Sequence, residues 1–338
     1  MTVYAVILAG GGGTRLWPAS RRRRPKHFLP FAPGGRALLL ATVERVRPVV
    51  PRERILVVTA ASQVVEVQAT VRDLPVDNVV VEPVARNTAA AIALAARTLE
   101  RRGDGQAVMA VLPSDHVVTD EAAFSRVLEH AIAAAERHIV TVGVPPRYPA
   151  TGLGYLELGE RSEGPAREVR RFVEKPDLDR AREYVASGRH FWNSGMFFFR
   201  AERILEETQR HLPDVARALD GRYEDAPSIS IDYGIMEKVQ DIWAVPGDFG
   251  WSDVGNWADL AAVHPPDAAG QVRIGGPLVA VDARDNVVVG DQLVALVGVE
   301  GLVVVTTDDA VLIMPKERGQ DVRAIVAQLV ERKLDTYL

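Results

Sequence analysis

The chain has 338 residues, of which 47% are hydrophobic and 25% are charged, a composition typical of a globular protein with one large domain and a smaller appended unit. The formal net charge of −5 excludes a general basic field that would hold nucleic acid or an anionic membrane, so any basic patch must be local. The absence of cysteine excludes disulfide bonds, thiolate zinc sites and a cysteine nucleophile.

The amino-terminal segment MTVYAVILAGG predicts a first β-strand. It has no basic residues ahead of its apolar run, and the run ends in glycines, which is not the pattern of a signal peptide. No apolar run approaches the ~20 residues that a membrane helix needs. We therefore expect a soluble, cytoplasmic protein with neither a membrane nor a nucleic acid as its partner.

Apolar, β-rich runs alternate with helical patterns through the first part of the chain. The predicted strands are VYAVIL from Val3, ILVVT from Ile55, NVVVEP from Asn78, AVMAVLPSD from Ala107 and HIVTVGV from His138, and the clearest helices run from Asn87 and Asp120. Near-continuous apolar strands separated by helices predict a parallel sheet covered on both faces. Ligands of such sheets bind at the carboxyl ends of the strands, so functional residues are expected just after each run.

The pattern changes after about Pro145, where a mixed segment of strands and helices follows. From about Gly270 short valine-rich strands alternate with turn residues, and a helix is predicted from about Glu317. We predict one large domain over residues 1–268 and a small β-rich domain over residues 269–338 that ends in this helix.

Four consecutive glycines at positions 10–13 follow the first predicted strand. They fit neither the G-x-G-x-x-G fingerprint, because Arg15 or Leu16 stands where the third glycine is required, nor a P-loop, because Thr14 and Arg15 follow the run. Glycines let backbone N–H groups approach a phosphate or a base closely, and an arginine adds a fork of donors to phosphate oxygens. The loop therefore predicts a phosphate-binding or base-binding site, and the alternative is a tight turn without a ligand.

Arginines at positions 21–24 follow this loop and invite a nucleic-acid interpretation. The chain has 40 Lys plus Arg but only five lysines, so it uses arginine almost everywhere. We interpret the four arginines as a solvated loop, and attraction of an anionic substrate is the alternative. Lys26 differs, since Pro18 and Pro25 limit how its loop can fold, and a fixed lysine there is suited to neutralising a second phosphate.

Nine segments in chain order carry a resemblance to a known family. They are LAGGGGTRLWPASR with PKHFL, EPVARNTAAAI, LPSDH, TGLGYLELG, FVEKP, WNSGMFFF, SIDYGIMEK, WSDVGNW and VGVEGLVVVTTDDAVLIMPKERGQDV. Together they resemble the signature of the nucleotide-sugar pyrophosphorylases, and specifically of the mannose-1-phosphate guanylyltransferases. The TRLWP, RNTA and WNSGMF segments favour the mannose and guanosine branch over those that join glucose to thymidine or uridine nucleotides.

The resemblance implies an α/β fold of the nucleotide-diphospho-sugar transferase type. In it, a Rossmann-like mixed, mainly parallel sheet is flanked by helices, and the small C-terminal domain is often a left-handed β-helix. Such extensions pack on the catalytic domain or build oligomer contacts, so a homodimer is one state that the resemblance allows. From the length of this chain we expect no fused isomerase domain of the kind that some longer relatives carry.

The activity that the resemblance implies is transfer from GTP to mannose 1-phosphate, giving GDP-mannose and pyrophosphate, with Mg²⁺ as cofactor. The implied catalytic residues are Arg15, Lys26, Asp115 and Asp253, of which the two carboxylates would bind the Mg²⁺. An N-cap role before a helix is the alternative for Asp115. Because the attacking sugar phosphate is already an anion, catalysis would rest on charge neutralisation and alignment without a general base.

The resemblance also implies the substrate-binding residues. Nucleotide binding is expected at Leu8, Ala9, Gly10, Gly11, Gly12, Gly13, Thr14, Asn87, Thr88 and Ser114. Sugar-phosphate binding is expected at Gly154, Glu174, Lys175 and Asn193. Alternatives are an N-cap role for Asn87 and a surface ion pair for Glu174 with Lys175, and Leu153 stands where the family commonly has an aromatic residue.

Three other functions stay open. The first is the same reaction with glucose or heptose 1-phosphate, or with another nucleoside triphosphate. The second is a glycosyltransferase that consumes a nucleotide sugar, although no Asp-x-Asp triplet directly follows any of the five predicted strands. The third is a sugar-nucleotide sensor, which would have no need for the four charged residues assigned to catalysis.

Overall fold

The structure is a computed structural model that describes residues 1–11 and 13–338. Packing divides the chain into two compact units. The first comprises Met1–Gly10, Thr42–Ser114 and Asp120–Phe249, and the second comprises Gly11–Ala41, Asp115–Thr119 and Gly250–Leu338. This division differs from the sequence ranges 1–268 and 269–338, which stay a prediction.

A nine-stranded sheet forms the centre of the first unit. The strands up to the middle of the chain are β1 (Val3–Ala9), β2 (Ile55–Ala60), β3 (Val79–Glu82), β4 (Val108–Pro113), β5 (Val117–Val118), which belongs to the second unit, and β6 (Ile139–Val144). They are followed by β7 (Tyr155–Glu163), β8 (Ala166–Val173), β9 (His190–Arg200) and β10 (Ile242–Pro246). The order in the sheet is β3-β2-β1-β4-β9-β6-β10-β8-β7.

The five strands expected from the sequence are β1, β2, β3, β4 and β6, and the mixed, mainly parallel sheet is confirmed. β3, β2, β1 and β4 pair in parallel, as do β6 and β10. β9 lies between β4 and β6 and runs antiparallel to both. Most of β9 is buried, and a strand buried on both faces has the same apolar pattern in either direction, so its orientation was not evident from the sequence.

Helices accompany the strands in chain order. They are α1 (Leu38–Val46), α2 (Val64–Thr70), α3 (Asn87–Arg101), α4 (Glu121–Ala134), α5 (Leu178–Ser187), α6 (Ala201–His211), α7 (Pro213–Asp220), α8 (Trp257–Ala262) and α9 (Val322–Glu331). α3 is alanine-rich and its buried face packs in the core of the first unit with residues of β1, β2 and β4. Small side chains bring this helix close to the sheet, which places its first turn near the strand ends.

The second unit is built mainly from short strands at the C-terminal end. They are β11 (Trp251–Ser252), which pairs with β5, then β12 (Val272–Gly275), β13 (Leu278–Val281), β14 (Val287–Gly290), β15 (Val294–Val297), β16 (Leu302–Thr306) and β17 (Val311–Pro315). β12, β14 and β16 stack in parallel, and so do β13 and β15, while β17 closes the stack antiparallel to β16. The β-helix-like arrangement is confirmed, and its left hand stays a prediction.

Two glycines permit the close stacking of these coils. Gly275 has a φ of 104° and Gly290 a φ of 134°, which side-chain-bearing residues rarely adopt. A Cβ atom on Gly290 would lie 2.4 Å from the main-chain oxygen of Thr306, and one on Gly275 would lie 2.4 Å from that of Gly290. The corners at the ends of β12 and β14 therefore require glycine.

In the part of the chain that the structure describes, none of the helices combines the length and the apolar character needed to cross a membrane.

Replacing Gly290 by alanine tests the stacked corners. The new methyl group would meet the Thr306 backbone at a positive φ, so we expect a loss of at least about 2 kcal/mol in the free energy of unfolding, measured by urea titration with tryptophan fluorescence. Gly298→Ala is the control, because Gly298 also has a positive φ of 63° but no atom within 4 Å of its would-be Cβ. We expect a loss of about 1 kcal/mol there, and equal losses would refute the packing argument.

Candidate active site

Lys26 lies at the centre of a charged cluster in the second unit. It begins a 3₁₀ turn, Lys26–Phe28, directly after Pro25, and is only 5% exposed. Its Nζ lies 2.9 Å from Asp115 Oδ2. It also donates to the main-chain oxygens of Asp253, at 2.5 Å, and Val254, at 3.3 Å. The structure thus brings together three of the four residues assigned to catalysis from the sequence.

Asp115 comes just after the end of β4 and is followed by β5, not by a helix. The alternative of an N-cap at Asp115 is therefore wrong. The residue that caps α4 is Asp120, whose carboxylate accepts from the Ala123 N–H at 2.8 Å. Burial acts to raise the pKa of Asp115, but the nearby positive charge of Lys26 is the main cause that outweighs it and holds the pKa below its ordinary value. Asp115 is therefore ionised at neutral pH.

His116 connects Asp115 to the segment that contains Asp253. It is buried, and its Nδ1 accepts from the Trp251 indole N–H at 3.2 Å. Its Nε2 lies 3.9 Å from Asp115 Oδ1. The antiparallel pairing of β5 with β11 supports the same connection and holds the two aspartate-bearing segments side by side.

The turn that carries Asp253 is strained. Val254 has a φ of 46°, which is unfavourable for a β-branched residue. Its N–H donates to Ser252 Oγ at 3.0 Å, which stabilises the turn. In this conformation the carbonyl groups of Asp253 and Val254 both point at the Lys26 ammonium. The strained turn thus positions the two carbonyl oxygens that accept hydrogen bonds from the buried Lys26 ammonium.

Arg15, Asp253 and Asp259 converge around Gly255. A Cβ atom on Gly255 would lie 3.1 Å from Asp253 Oδ2 and 3.2 Å from both Arg15 Nη1 and Asp259 Oδ2. Burial and the negative charge of Asp253 raise the pKa of Asp259 to about 6. Sequence reasoning missed Asp259, which has no motif of its own and follows Asp253 by only six residues.

The glycine loop approaches Lys26 at Gly13. Gly13 has a φ of 51°, and a Cβ on it would lie 2.9 Å from Lys26 Cβ, so a side chain does not fit there. The 3₁₀ turn Thr14–Leu16 begins at the next residue. Gly11 is exposed and has open space around it, and Gly12, also predicted to bind nucleotide, lies outside the described residues.

In the first unit, the predicted nucleotide-binding residues Leu8, Ala9 and Gly10 lie at the carboxyl end of β1. The Ser114 N–H donates to the Leu8 main-chain oxygen at 3.1 Å, so Ser114 lies beside them. A Cβ on Gly10 would lie 3.4 Å from Glu82 Oε2. Glu82 was not among the residues predicted from the sequence, although it ends β3 and therefore lies on the expected edge of the sheet.

Glu82 is buried and accepts from the hydroxyl group of Tyr223 at 2.5 Å. Burial raises the pKa of Glu82, and it raises that of Tyr223 strongly, with the Glu82 hydrogen bond as the second cause. The carboxyl group next to Gly10 is thus held in a fixed orientation by an uncharged donor.

Asn87 and Thr88 make local hydrogen bonds at the start of α3. Asn87 has a φ of 67°, and its Oδ1 accepts from the Thr88 N–H at 2.8 Å. This bond satisfies one donor of the first helical turn, but the N-cap position is occupied by Arg86, so the N-cap alternative for Asn87 is wrong. Thr88 Oγ1 accepts from the Ile231 N–H at 2.9 Å.

The predicted sugar-binding residues also come together in the first unit. A Cβ on Gly154 would lie 2.5 Å from Glu174 Oε2 and 3.3 Å from Asn193 Cβ, so glycine is needed for these side chains to approach. The Asn193 N–H donates to the Gly154 oxygen at 2.8 Å. The Glu174 side chain is 8% exposed, and its Oε1 lies 2.5 Å from Lys175 Nζ. Lys175 is half exposed, with its Nζ 5.9 Å from the centre of the Tyr233 ring.

The side chain of Asn193 is oriented by three neighbours. Its Oδ1 accepts from Thr141 Oγ1 at 2.9 Å and from the Gly195 N–H at 3.2 Å, and its Nδ2 donates to Asp232 Oδ1 at 3.1 Å. One N–H of the amide is therefore available to a ligand. Burial and the nearby charge of Glu174 raise the pKa of Asp232 to about 6. Asp232, which begins the π-helix Asp232–Met236, belongs to SIDYGIMEK, a segment used only for the resemblance.

Asp115 and Asp253 of the second unit suit a hard divalent cation that keeps part of its hydration shell. No group of three or more His, Asp or Glu residues with metal-binding geometry occurs in residues 1–11 and 13–338. Mg²⁺ needs no such cage, because it is commonly bound by one or two carboxylates together with water and substrate phosphates. Asp115, which is ionised at neutral pH, pairs with Lys26 through its carboxylate, and Asp253 contacts the same ammonium through its main-chain oxygen.

Two family models match the chain. The model described as "Nucleotidyl transferase" matches residues 4–269, and the model described as "MannoseP isomerase/GMP-like beta-helix domain" matches residues 276–329.

Individual proteins match along nearly the whole chain. The xanthan biosynthesis protein XanB of Xanthomonas campestris pv. campestris strain B100 is 43% identical over 97% of this chain and 73% of that protein. The mannose-1-phosphate guanylyltransferase of Escherichia coli K12 is 40% identical over 97% of this chain and 73% of that protein. A crystal structure from Thermus thermophilus, described as a mannose-1-phosphate geranyltransferase, is 40% identical with a TM-score of 0.89 over 97% of this chain and 99% of that one.

Replacing Asp232 by asparagine tests the charge of the sugar-binding cluster. A pKa raised to about 6 means that the folded protein favours the protonated acid, so the wild type loses stability as the pH rises from about 4 through 6. Asparagine keeps the acceptor for Asn193 without the charge. We therefore expect the two proteins to have nearly the same free energy of unfolding near pH 4. By pH 7.5 the variant should be more stable by up to about 3 kcal/mol, measured by urea unfolding.

The same comparison in a Glu174→Gln background is the control. Because the charge of Glu174 is the second cause of the raised pKa, the gain from Asp232→Asn should be smaller there. A gain that is independent of pH in both backgrounds would contradict the assignment.

Proposed function

Because the chain belongs to the nucleotidyl transferase family, and within it to the mannose-1-phosphate guanylyltransferases, we propose that it transfers a guanylyl group from GTP to mannose 1-phosphate. The products are GDP-mannose and pyrophosphate. The observation that carries the proposal is the cluster in which Lys26 joins Asp115 to the Asp253 turn, with Arg15 beside Asp253. It presents fixed positive charge and two carboxylates without a nucleophile, which suits phosphoryl chemistry.

The reaction requires one bond to form and one to break. An oxygen of the mannose 1-phosphate attacks the α-phosphorus of GTP, and the bond from that phosphorus to the oxygen bridging it to the β-phosphate breaks. The electron pair leaves with pyrophosphate. The attacking oxygen is already anionic, so no side chain has to remove a proton, and the repulsion between phosphates is the main barrier that the protein must lower.

Lys26 and Arg15 supply the fixed positive charges. Lys26 is immobilised by Asp115 and by two main-chain oxygens, which together occupy its three N–H donors, so it acts on the bound phosphates through the fixed position of its charge. Arg15 presents a planar fork that fits two phosphate oxygens. Gly11, which has open space around it, leaves room for phosphate oxygens near the backbone N–H groups of the loop.

Asp115 and Asp253 would hold Mg²⁺. When bound there, the ion supplies positive charge that offsets the negative charge of the phosphates.

The cluster of the first unit would bind the sugar phosphate. Glu174 accepts from sugar hydroxyl groups, and the available N–H of Asn193 donates to another. Lys175, which is half exposed, donates to the phosphate. Burial acts to lower the pKa of Lys175, but its hydrogen bond to Glu174 outweighs this and raises the pKa, so the side chain carries its charge at neutral pH.

A substrate matrix tests the proposal. Purified protein with Mg²⁺ is incubated with GTP, ATP, UTP or dTTP against mannose, glucose or heptose 1-phosphate, and pyrophosphate release is measured. We expect the highest kcat/KM for GTP with mannose 1-phosphate. A higher value for another pair would assign the protein to another sugar nucleotide, and no release from any pair would refute the enzymatic function.

Asp253→Asn tests the catalytic cluster. The substitution removes a carboxylate charge but keeps the main-chain oxygen that accepts from Lys26, so the fold should persist. We expect kcat to fall by about 100-fold or more while the melting temperature changes little. Asp248→Asn is the matched control, because Asp248 is an exposed carboxylate five residues earlier that pairs with the exposed Arg147. A large loss of stability in Asp253→Asn would make Asp253 a structural residue instead.

A further inference from the structure

Arg21 differs from the three arginines that follow it. Arg22, Arg23 and Arg24 are exposed, as expected for a solvated loop, but the Arg21 side chain is only 16% exposed. Its Nη1 donates to Asp309 Oδ2 at 2.7 Å and its Nη2 to Asp309 Oδ1 at 2.5 Å. The interpretation of the whole run as solvated is therefore wrong for its first member, which makes a two-bonded guanidinium–carboxylate pair within the second unit.

The carboxylate of this pair lies on a well-defined turn between β16 and β17. Thr307 Oγ1 donates to Asp309 Oδ1 at 3.0 Å and accepts from the Ala310 N–H at 3.1 Å. The Thr307 N–H donates to the Ala310 oxygen at 2.9 Å. The hydrogen bond from Arg21 is the main cause that lowers the pKa of Asp309 to about 2. The turn thus presents an ionised carboxylate in a fixed direction.

The guanidinium of the pair is fixed from the other side. Arg21 Nε donates to the Pro18 main-chain oxygen at 2.9 Å. The main chains of Arg21 and Arg24 exchange two hydrogen bonds of 3.0 Å, so the arginine run forms a narrow hairpin. Pro25 and Lys26 follow this hairpin directly and are buried. Because only a few residues separate Arg21 from Lys26, a displacement of Arg21 would also displace Lys26.

A second contact holds the same loop nearer its start. The Trp17 indole N–H donates to the main-chain oxygen of Tyr337 at 2.7 Å, and the Trp17 oxygen accepts from the Trp257 indole at 3.2 Å. Trp17 lies two residues after Arg15. Both cations of the proposed site are thus within a few residues of a contact with the C-terminal part of the chain.

We propose that Arg21 and Asp309 are positioning residues through which the C-terminal β-strands hold the phosphate-binding loop in its active conformation. The pair touches no substrate and acts through Lys26 and Arg15. A bidentate arginine–carboxylate pair restricts direction as well as distance, so it suits this role better than a lysine would. The part of the proposal that concerns turnover rests on the proposed function.

The test measures loop protection and turnover in the full chain. The exposed Arg22 and Arg23 are natural trypsin sites, whereas Arg24 precedes proline and resists cleavage. Limited trypsin digestion followed by mass spectrometry gives the rate of cleavage after Arg22 and Arg23. The variants are Asp309→Asn, Arg21→Ala and the double variant. Glu300→Gln is the matched control, since it removes the charge from the exposed Arg284–Glu300 pair of the same unit, whose N–O distance is 2.8 Å.

We expect Asp309→Asn to speed cleavage at Arg22 and Arg23 at least several-fold and to lower kcat about tenfold at an unchanged melting temperature. Glu300→Gln should change neither quantity. The double variant should be no worse in kcat than Arg21→Ala alone, because both substitutions remove the same interaction.

Wild-type cleavage and kcat in a folded Asp309→Asn protein would overturn the proposal, as would additive effects in the double variant. A fall in kcat without faster cleavage would also overturn it, since the loop would then not have moved. The cleavage measurement needs no substrate, so it decides the positioning role even if the wild-type protein releases no pyrophosphate and the proposed function fails.

Discussion

The Lys26 ammonium joins three stretches of the second unit that are far apart in sequence. A buried cation is costly unless it is paired and hydrogen-bonded, and this one is satisfied by the Asp115 carboxylate and the main-chain oxygens of Asp253 and Val254. The strained φ of Val254 persists because it supplies one of these oxygens. The glycine loop, the Asp115 segment and the Asp253 turn therefore form one electrostatic unit, and none can shift without exposing an unpaired charge.

Carboxyl pairs recur in both units. Asp259 lies near Asp253, and Asp232 lies near Glu174; in each pair burial and the neighbouring charge raise the pKa of one member to about 6. Substrates with several phosphates carry much negative charge, and full ionisation of each pair would repel them. A carboxyl group whose pKa is already raised takes up a proton more readily as further negative charge approaches, and this reduces the repulsion.

The strands and the candidate catalytic residues were accessible from the sequence because each depends on a local pattern: apolar runs predicted β1 to β4, and the motif match identified Lys26 and Asp253. The direction of β9 was not accessible, because a strand buried on both faces has no directional pattern. Arg21 was also misjudged. Its partner, Asp309, is separated from it by most of the chain, and a run of four identical residues does not reveal which one is bound.

The Arg21–Asp309 pair limits how many turns the stack of β12, β14 and β16 can have. Coiled repeats normally gain or lose a turn with little penalty, since each turn contacts only its neighbours. Here Asp309 lies on the turn that follows the last parallel strand, and adjacent strands are about 4.8 Å apart. One extra turn ahead of it would move the carboxylate beyond hydrogen-bonding reach of Arg21. The number of turns in the C-terminal stack is thus constrained by a contact with the arginine hairpin, which lies outside the repeats.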